Sequence, residues 1–326
     1  MDFNAIQSVV ADDFEAVDRF IQHHLDSGVP LIREISEYIV NSGGKRLRPL
    51  VAILSARAAG YRGELHINVA AVIEFLHTST LLHDDVVDES RMRRGRATAN
   101  QVWGNAASVL VGDFLISRSF QLVVEVGDLR LMEILAESTN TISEGEVLQL
   151  INCRDPDTSE ERYMQVIHHK TAKMFESAAQ TGAVLGCSEP DRVEEQKRIY
   201  GDYGRHLGIA FQLVDDVLDY TGDPEQLGKN VGDDLAEGKP TLPLIHTMRE
   251  APAREATMIR DAIRTGGLDR LEEIIDTVQR HGGLEYTLEQ ARSHTARALE
   301  ALESVPESRY RQALAGLARE AVDRSA

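Results

Sequence analysis

Two acidic patterns, Asp84-Asp85-Val86-Val87-Asp88 and Asp215-Asp216-Val217-Leu218-Asp219, constrain this chain more than any other feature of it. Both sit in otherwise apolar stretches. Val69, Val72, Ile73 and Leu76 lead into the first at a spacing that predicts a helix. On such a helix His77, Asp84 and Asp88 fall within about 20° of one line. Gln212, Asp215, Asp216 and Asp219, at i, i+3, i+4 and i+7, share a face of a second helix. Carboxylates one turn apart repel each other, and Asp is almost never buried unpaired. Aligned acids on two apolar helices are therefore expected to flank a polar cleft and to hold cations. Hard oxygen donors of this kind suit Mg²⁺, which keeps several waters and completes its shell with phosphate oxygens.

The basic residues are placed to match. Arg91, Arg93, Arg94 and Arg96 follow the first acids directly, around the Gly95 at which the helix is expected to end. Metal-binding acids beside a basic cluster make a place for a diphosphate. Lys45 and Arg48 follow the pair Gly43-Gly44, where backbone can approach an anion at a helix start. His77 lines up with Asp84 and Asp88, and Lys170 and Thr171 interrupt an apolar helix just after His168-His169. Residues 221–239 hold Gly222, Gly228, Gly232 and Gly238 together with Lys229 and Lys239. That glycine density predicts a loop able to close over phosphates.

Composition narrows the partners. A net charge of −18 argues against nucleic acid or an anionic bilayer as the main partner, so a polyanionic substrate needs a local basic site and metal. Cys153 and Cys187 stand apart, with no Cys-x-x-Cys, which fits a reducing cytosol and neither a disulfide nor a zinc site. The start, Met1-Asp2-Phe3-Asn4, has no basic n-region or apolar h-region, and no uninterrupted apolar run reaches the ~18 residues of a membrane span.

Helical periodicity runs through almost the whole chain. Helices are predicted over residues 6–25, 31–40, 49–60, 66–90, 106–126, 129–150, 159–186 and 192–220, with more after Pro240 split by Gly266-Gly267, Gly282-Gly283 and Pro306. No sustained period-2 alternation appears, so no sheet is expected. Without a Pro-, Gly- or Ser-rich linker, the expectation is one all-α domain over residues 1–326.

The two acidic motifs, with Gly43-Gly44-Lys45-Arg46-Leu47-Arg48-Pro49 and Gly228-Lys229-Asn230-Val231-Gly232-Asp233-Asp234, resemble the trans-prenyl diphosphate synthases, and especially their long-chain bacterial members. The resemblance covers nearly the whole chain. It implies a single large helical bundle of the isoprenoid synthase type with a central active-site cavity. It also implies repeated head-to-tail condensation of isopentenyl diphosphate with an allylic diphosphate such as farnesyl diphosphate. Asp84, Asp88, Asp215 and Asp219 would be the metal ligands, for about three Mg²⁺ ions with substrate bound. Lys45, Arg48 and Arg94, with His77 beside them, would hold isopentenyl diphosphate, whereas Arg93 would contact the allylic diphosphate. Lys170, Thr171 and Gln212 would line the reacting carbon, and Lys229 and Lys239 would close from the loop. Short-chain relatives carry large aromatic residues at one or both of the positions held here by Ser79 and Thr80. The two small residues therefore imply an open channel and a product of about eight isoprene units, since channel volume alone stops elongation. Val123 and Leu135 are candidates for the channel floor. The resemblance further implies a cytoplasmic homodimer, at most transient contact with a membrane surface for product release, and a quinone side chain as the product's fate. A class I terpene cyclase usually carries an Asn/Asp-x-x-Ser/Thr-x-x-x-Glu second motif, and a non-catalytic partner subunit tends to lose an acidic motif. This chain has kept both motifs in the synthase form.

Overall fold

The computed structural model describes residues 1–221 and 231–323. Its contacts divide the chain into two compact units: Met1–Thr139 with Met174–Gly204 and Ala301–Leu317, and Asn140–Lys173 with Arg205–Glu300 and Ala318–Ala326.

The first unit is built around the helix Leu65–Val87, which packs most extensively on Asn105–Val126 and also on Leu47–Ala58 and Ala11–His24. Val69, Val72, Ile73, Phe75, Leu76 and Leu82 on it are buried, each contributing about 1.5–3 kcal/mol. Close approach to Asn105–Val126 depends on Gly112, where a Cβ would lie 2.2 Å from His83 Nε2. Ser108 Oγ donates to the Leu82 carbonyl at 2.9 Å on the same seam. Glycine serves Lys173–Gly186 in the same way, because a Cβ on Gly182 would meet the Ala52 carbonyl oxygen at 2.3 Å.

Most predicted helices are present to within a few residues, with three corrections. The stripe over residues 6–25 belongs to two helices, Phe3–Ser8 and Ala11–His24. Asp2 caps the first, accepting from Ala5 N at 2.8 Å. Val10 then leaves helical geometry at φ −131°, yet Ile6, Val10, Val17 and Ile21 all stay buried. The predicted helix over residues 159–186 starts as expected, with Ser159 accepting from Arg162 N. It is interrupted by a π turn, His168–Ala172, between Glu160–Ile167 and Lys173–Gly186. The chain is all-α, but one small antiparallel hairpin pairs Met92–Arg93 with Arg96–Ala97. Its turn residues Arg94 and Gly95 both have positive φ, 51° and 74°, as a two-residue hairpin turn requires. The strands are too short for the alternation by which strands are read from sequence.

Leu65–Val87 and Asn105–Val126 are also long and apolar enough to cross a membrane by length and composition, which the search for uninterrupted apolar runs missed. The most apolar window of the first is 61% buried inside the protein and that of the second 39%.

In the second unit, Tyr163, Ile167, Leu213, Val214 and Leu242 form one core cluster. Tyr220, Leu235, Leu244, Ile259 and Ile274 form another. The helices after Pro240 run Leu242–Glu250, Ala253–Thr265, Leu271–Arg280, Gly283–Ala301 and Arg309–Asp323, broken near the predicted glycines and Pro306. Both cysteines are free thiols.

Candidate active site

In the first unit the acids sit at the end of Leu65–Val87. Asp88 is its C-cap, with its N–H donating to the Asp84 carbonyl at 2.8 Å. Asp84 and Asp88 are both partly exposed. Asp85 between them is fully buried. Its Oδ1 accepts from Arg93 Nε at 2.9 Å and lies 2.8 Å from Arg93 Nη2. Asn100 Nδ2 donates to its carbonyl at 3.0 Å. Burial raises the Asp85 carboxyl, and the Arg93 guanidinium opposes that rise. The hairpin thus has a structural reason: it turns the chain back so that Arg93 meets Asp85, and it sends Arg94 the other way.

Arg94 donates to the Gly43 carbonyl, and a Cβ on Gly44 would lie 2.6 Å from Arg94 Nη1. Gly44, at φ +124°, is needed both for backbone shape and for room. Arg48 Nη1 lies 3.1 Å from His77 Nε2, and its guanidinium lies 4.5 Å from the centroid of the Phe175 ring. Burial lowers Arg48 to about 10 and also lowers Arg94. Burial, reinforced by Arg48, Arg94 and Arg93, pushes His77 well below its usual value. His77 is therefore neutral and accepts from Arg48 through Nε2, which leaves its proton on Nδ1. Lys45 stands apart from this set, exposed and 5.4 Å from the Phe3 ring centroid.

Ser79 and Thr80 spend their hydroxyls on their own helix, donating to Leu76 O at 2.7 Å and His77 O at 2.8 Å. Ser79 is buried, as are Val123 on Asn105–Val126 and Leu135 on Leu129–Asn152.

In the second unit the acids lie within the last turns of Val193–Thr221. Asp215 is partly exposed, whereas Asp216 and Asp219 are buried. Asp216 accepts from Tyr163 Oη in a very short hydrogen bond and from Gln212 Nε2 at 2.8 Å. Gln212 Oε1 in turn accepts from Thr171 Oγ1 at 2.9 Å. This chain of bonds fixes the amide so that its oxygen faces Thr171. Burial, with the Asp234 charge added, raises the Asp216 carboxyl well above the usual range, and burial does the same to the Tyr163 phenol. Asp219 Oδ2 accepts from Asp234 N at 3.3 Å, at the start of the helical turn Asp233–Ala236.

Lys170 lies in the π turn, and its Nζ donates to Glu146 Oε2 at 2.7 Å. Gly145 lets Leu129–Asn152 approach this turn, since a Cβ there would lie 2.8 Å from Lys170 N. A π turn adds one residue to a helix and re-aims the side chains around it, here at Lys170 and Thr171. Lys239 pairs with Glu237. Lys229 lies outside the described residues.

Each unit therefore gathers part of the predicted set. Asp84, Asp88, Arg48, His77, Arg93 and Arg94 lie in the first, and Lys170, Thr171, Gln212, Asp215, Asp219 and Lys239 in the second. Among the described residues, no three His, Cys, Asp or Glu side chains converge tightly enough to cage a metal by themselves. The partly exposed carboxylates of Asp84, Asp88 and Asp215 are hard oxygen donors of the kind a divalent cation takes together with water and phosphate oxygens.

Sequence reasoning passed over Glu74, Asp85, Tyr163 and Asp216. Glu74 is largely buried, and its carboxyl is raised by that burial against the pull of Arg46, Arg48 and Arg94. It could have been noticed as the lone charge in the apolar run from Val69 to Leu76. Asp85 and Asp216 belong to the motifs but were given no task, because helical alignment alone does not tell an exposed acid from a buried one.

The polyprenyl synthetase family model matches residues 29–278. The octaprenyl diphosphate synthase of Escherichia coli is 52% identical over 325 residues, covering 99% of each chain. The all-trans-nonaprenyl-diphosphate synthase (geranyl-diphosphate specific) of Rhodobacter capsulatus is 49% identical, over 98% of this chain and 97% of that one. Among solved structures, a polyprenyl synthase from Caulobacter crescentus, complexed with calcium and isoprenyl diphosphate, is 41% identical. It matches with a TM-score of 0.95 over 100% of this chain and 98% of its own. From its two acidic motifs to its fold, the chain belongs to the polyprenyl synthetase family.

Proposed function

We propose that the chain is a long-chain trans-polyprenyl diphosphate synthase of the octaprenyl class, adding isopentenyl diphosphate head to tail onto an allylic diphosphate such as farnesyl diphosphate. One observation carries this reading. A chain 52% identical end to end to an octaprenyl diphosphate synthase holds two acidic helices and, apart from the acids, an arginine set, Arg48 partly buried and Arg94 exposed, fit for a second diphosphate.

Asp84, Asp88, Asp215 and Asp219 are the residues that would hold Mg²⁺, about three ions with substrate bound. A metal held by these acids would supply charge neutralisation for the leaving allylic diphosphate, so that no protein acid would be needed. Arg48 and Arg94, joined by Lys45 from its exposed position, hold isopentenyl diphosphate through protein cations, since a planar guanidinium matches phosphate oxygens. Neutral His77 holds the Arg48 fork in place and adds no charge of its own. Arg93 serves the allylic diphosphate while anchored on Asp85. The Lys170 backbone carbonyl, the Thr171 hydroxyl oxygen and the Gln212 amide oxygen would face the developing positive charge on the allylic carbon and steady it with fixed dipoles. Lys229 and Lys239 close from the 221–239 segment. The terminal alkene of isopentenyl diphosphate attacks the allylic carbon, and the departing diphosphate takes the final proton, so no protein base is needed. Ser79 and Thr80 leave the channel open beside the first acids, with Val123 and Leu135 at its floor.

In this reading residues 1–326 work as one catalytic domain with a central cavity, in a cytoplasmic homodimer that touches a membrane surface only to release product for a quinone side chain. The apolar helix Asn105–Val126, with Leu110 and Val124 each 66% exposed, is the proposed dimer face. Incubation with radiolabelled isopentenyl diphosphate, an allylic primer and Mg²⁺ tests the function. A long linear product supports it. Short products would mean a shorter-chain synthase, a cyclic hydrocarbon a terpene cyclase, and incorporation only after adding a partner chain a non-catalytic subunit.

A further inference from the structure

Glu74 is a largely buried carboxylate with no part in the mechanism above. Its side chain keeps 12% exposure, and Oε1 lies 3.9 Å from Arg46 Nε. Oε2 is buried and takes no hydrogen bond among the described residues. Arg48 Nε in the same cluster is also buried and makes none there. An unused acceptor and an unused donor in one buried polar cluster call for an explanation. The groups facing Glu74 are Arg46 and Arg48 at the start of Leu47–Ala58, Arg94 from the hairpin, and His77 one turn on along its own helix. Asp18, from Ala11–His24, pairs with Arg46.

We propose that Glu74 is the resident counter-ion of the isopentenyl diphosphate site, and that it takes up a proton when the diphosphate replaces it among Arg46, Arg48 and Arg94. The inference rests on reading that arginine set as the isopentenyl site. Arg46, Arg48, Arg94 and the Lys45 proposed for the same site set four positive charges against Glu74 and the Asp18 paired with Arg46, which leaves a net charge of two, and neutral His77 adds none. A fully ionised diphosphate ester brings about three negative charges, more than the cluster can balance while Glu74 stays ionised. Like charges sharing a buried site force a proton onto one of them. Glu74 is the group prepared to accept it, because burial already favours its neutral form and only the three arginines hold it down. Once they turn to the diphosphate, that restraint weakens. Protonated Glu74 can then donate to a diphosphate oxygen. The sign follows: binding raises the proton affinity of Glu74, so affinity for isopentenyl diphosphate falls as pH rises through the window between its free and bound values.

Calorimetry of isopentenyl diphosphate binding without allylic primer tests this, in buffers of different ionisation heat and at a pH above the last ionisation of the diphosphate. The wild-type protein should take up a substantial fraction of a proton per ligand bound. Glu74→Gln should take up none, bind several-fold more tightly at the alkaline end, and lose the pH dependence, whereas Glu74→Asp should keep the uptake. Absence of uptake in the wild type would overturn the proposal even if no variant folds. Uptake persisting in Glu74→Gln would overturn it too, by placing the proton elsewhere, with His77 the first candidate. Arg94→Ala separates the two readings. Lost affinity there without wild-type uptake refutes the role of Glu74 alone, and unchanged affinity refutes the site.

Discussion

The two acidic motifs share a sequence pattern and differ in what holds them. In the first, the middle acid Asp85 is locked by a cation, Arg93, brought back by a hairpin. Glu74 on the same helix lies 3.9 Å from Arg46 Nε and feels the charges of Arg46, Arg48 and Arg94. In the second, the middle acid Asp216 is held by the neutral donors Tyr163 and Gln212, and its charged neighbours are the acids Asp234 and Asp215. Two lysines of that unit are engaged with glutamates, Lys170 with Glu146 and Lys239 with Glu237. One motif thus carries its positive partners with it. Around the middle acid of the other, the described residues set neutral donors and further acids.

The strongest way to break that comparison is to remove one proposed metal ligand from each motif. Asp84→Ala and Asp215→Ala should each lower turnover by several orders of magnitude in steady-state assays with Mg²⁺, with helix content by circular dichroism unchanged. Near wild-type activity in either variant would mean that the two motifs do not share the ions.

The next test addresses the first motif's own cations. Arg94→Ala should raise the Michaelis constant for isopentenyl diphosphate about 10- to 100-fold, as loss of one or more charge-assisted hydrogen bonds predicts. The constant for the allylic primer should move far less. Equal effects on both substrates would show that the arginine set does not distinguish two diphosphates.

How far the site was legible in the sequence follows from the same contrast. Asp84, Asp88, Gln212, Asp215 and Asp219 were readable because a helix turns spacing into a shared face, and the observed helices keep those faces. The Gly43-Gly44 signal was readable too, since only glycine leaves room for Arg94 at that point. Partners from distant segments were not. Nothing in the local sequence ties Tyr163 to Asp216, or Glu146 to Lys170, because tertiary packing brings them together. The π turn at His168–Ala172 escaped because one inserted residue leaves apolar periodicity almost intact. The hairpin at Met92–Ala97 escaped because its strands are two residues each.

Folding stability sharpens the comparison with a smaller effect. Asp85→Asn leaves Arg93 without its buried carboxylate, and since that side chain is 28% exposed, water should limit the loss to about 2 kcal/mol. Asp216→Asn keeps one of two accepted hydrogen bonds and should cost about 1 kcal/mol. Urea unfolding midpoints of the two variants would rank them. A larger loss from Asp216→Asn would mean that neutral donors hold their acid more firmly than the ion pair does.

The smallest change in rate should accompany the clearest change in product. Upstream of the first motif, Ser79 and Thr80 are small, and their hydroxyls are satisfied by Leu76 and His77, so they add no polar demand to the space beside them. At the matching positions before the second motif stand Ala210 and Phe211, the latter an aromatic residue. If the growing chain leaves past the first motif alone, bulk matters there. Ser79→Tyr and Thr80→Phe should shorten the product from about eight isoprene units to about three or four, with the first condensation slowed by less than about 10-fold, because a filled channel stops elongation without touching the metal chemistry. Phe211→Ala, the opposite change in the other motif, should leave product length where it is. Thin-layer chromatography of the dephosphorylated products reads all three variants. Unchanged length in both Ser79→Tyr and Thr80→Phe, or a longer product from Phe211→Ala, would move the exit to the second motif.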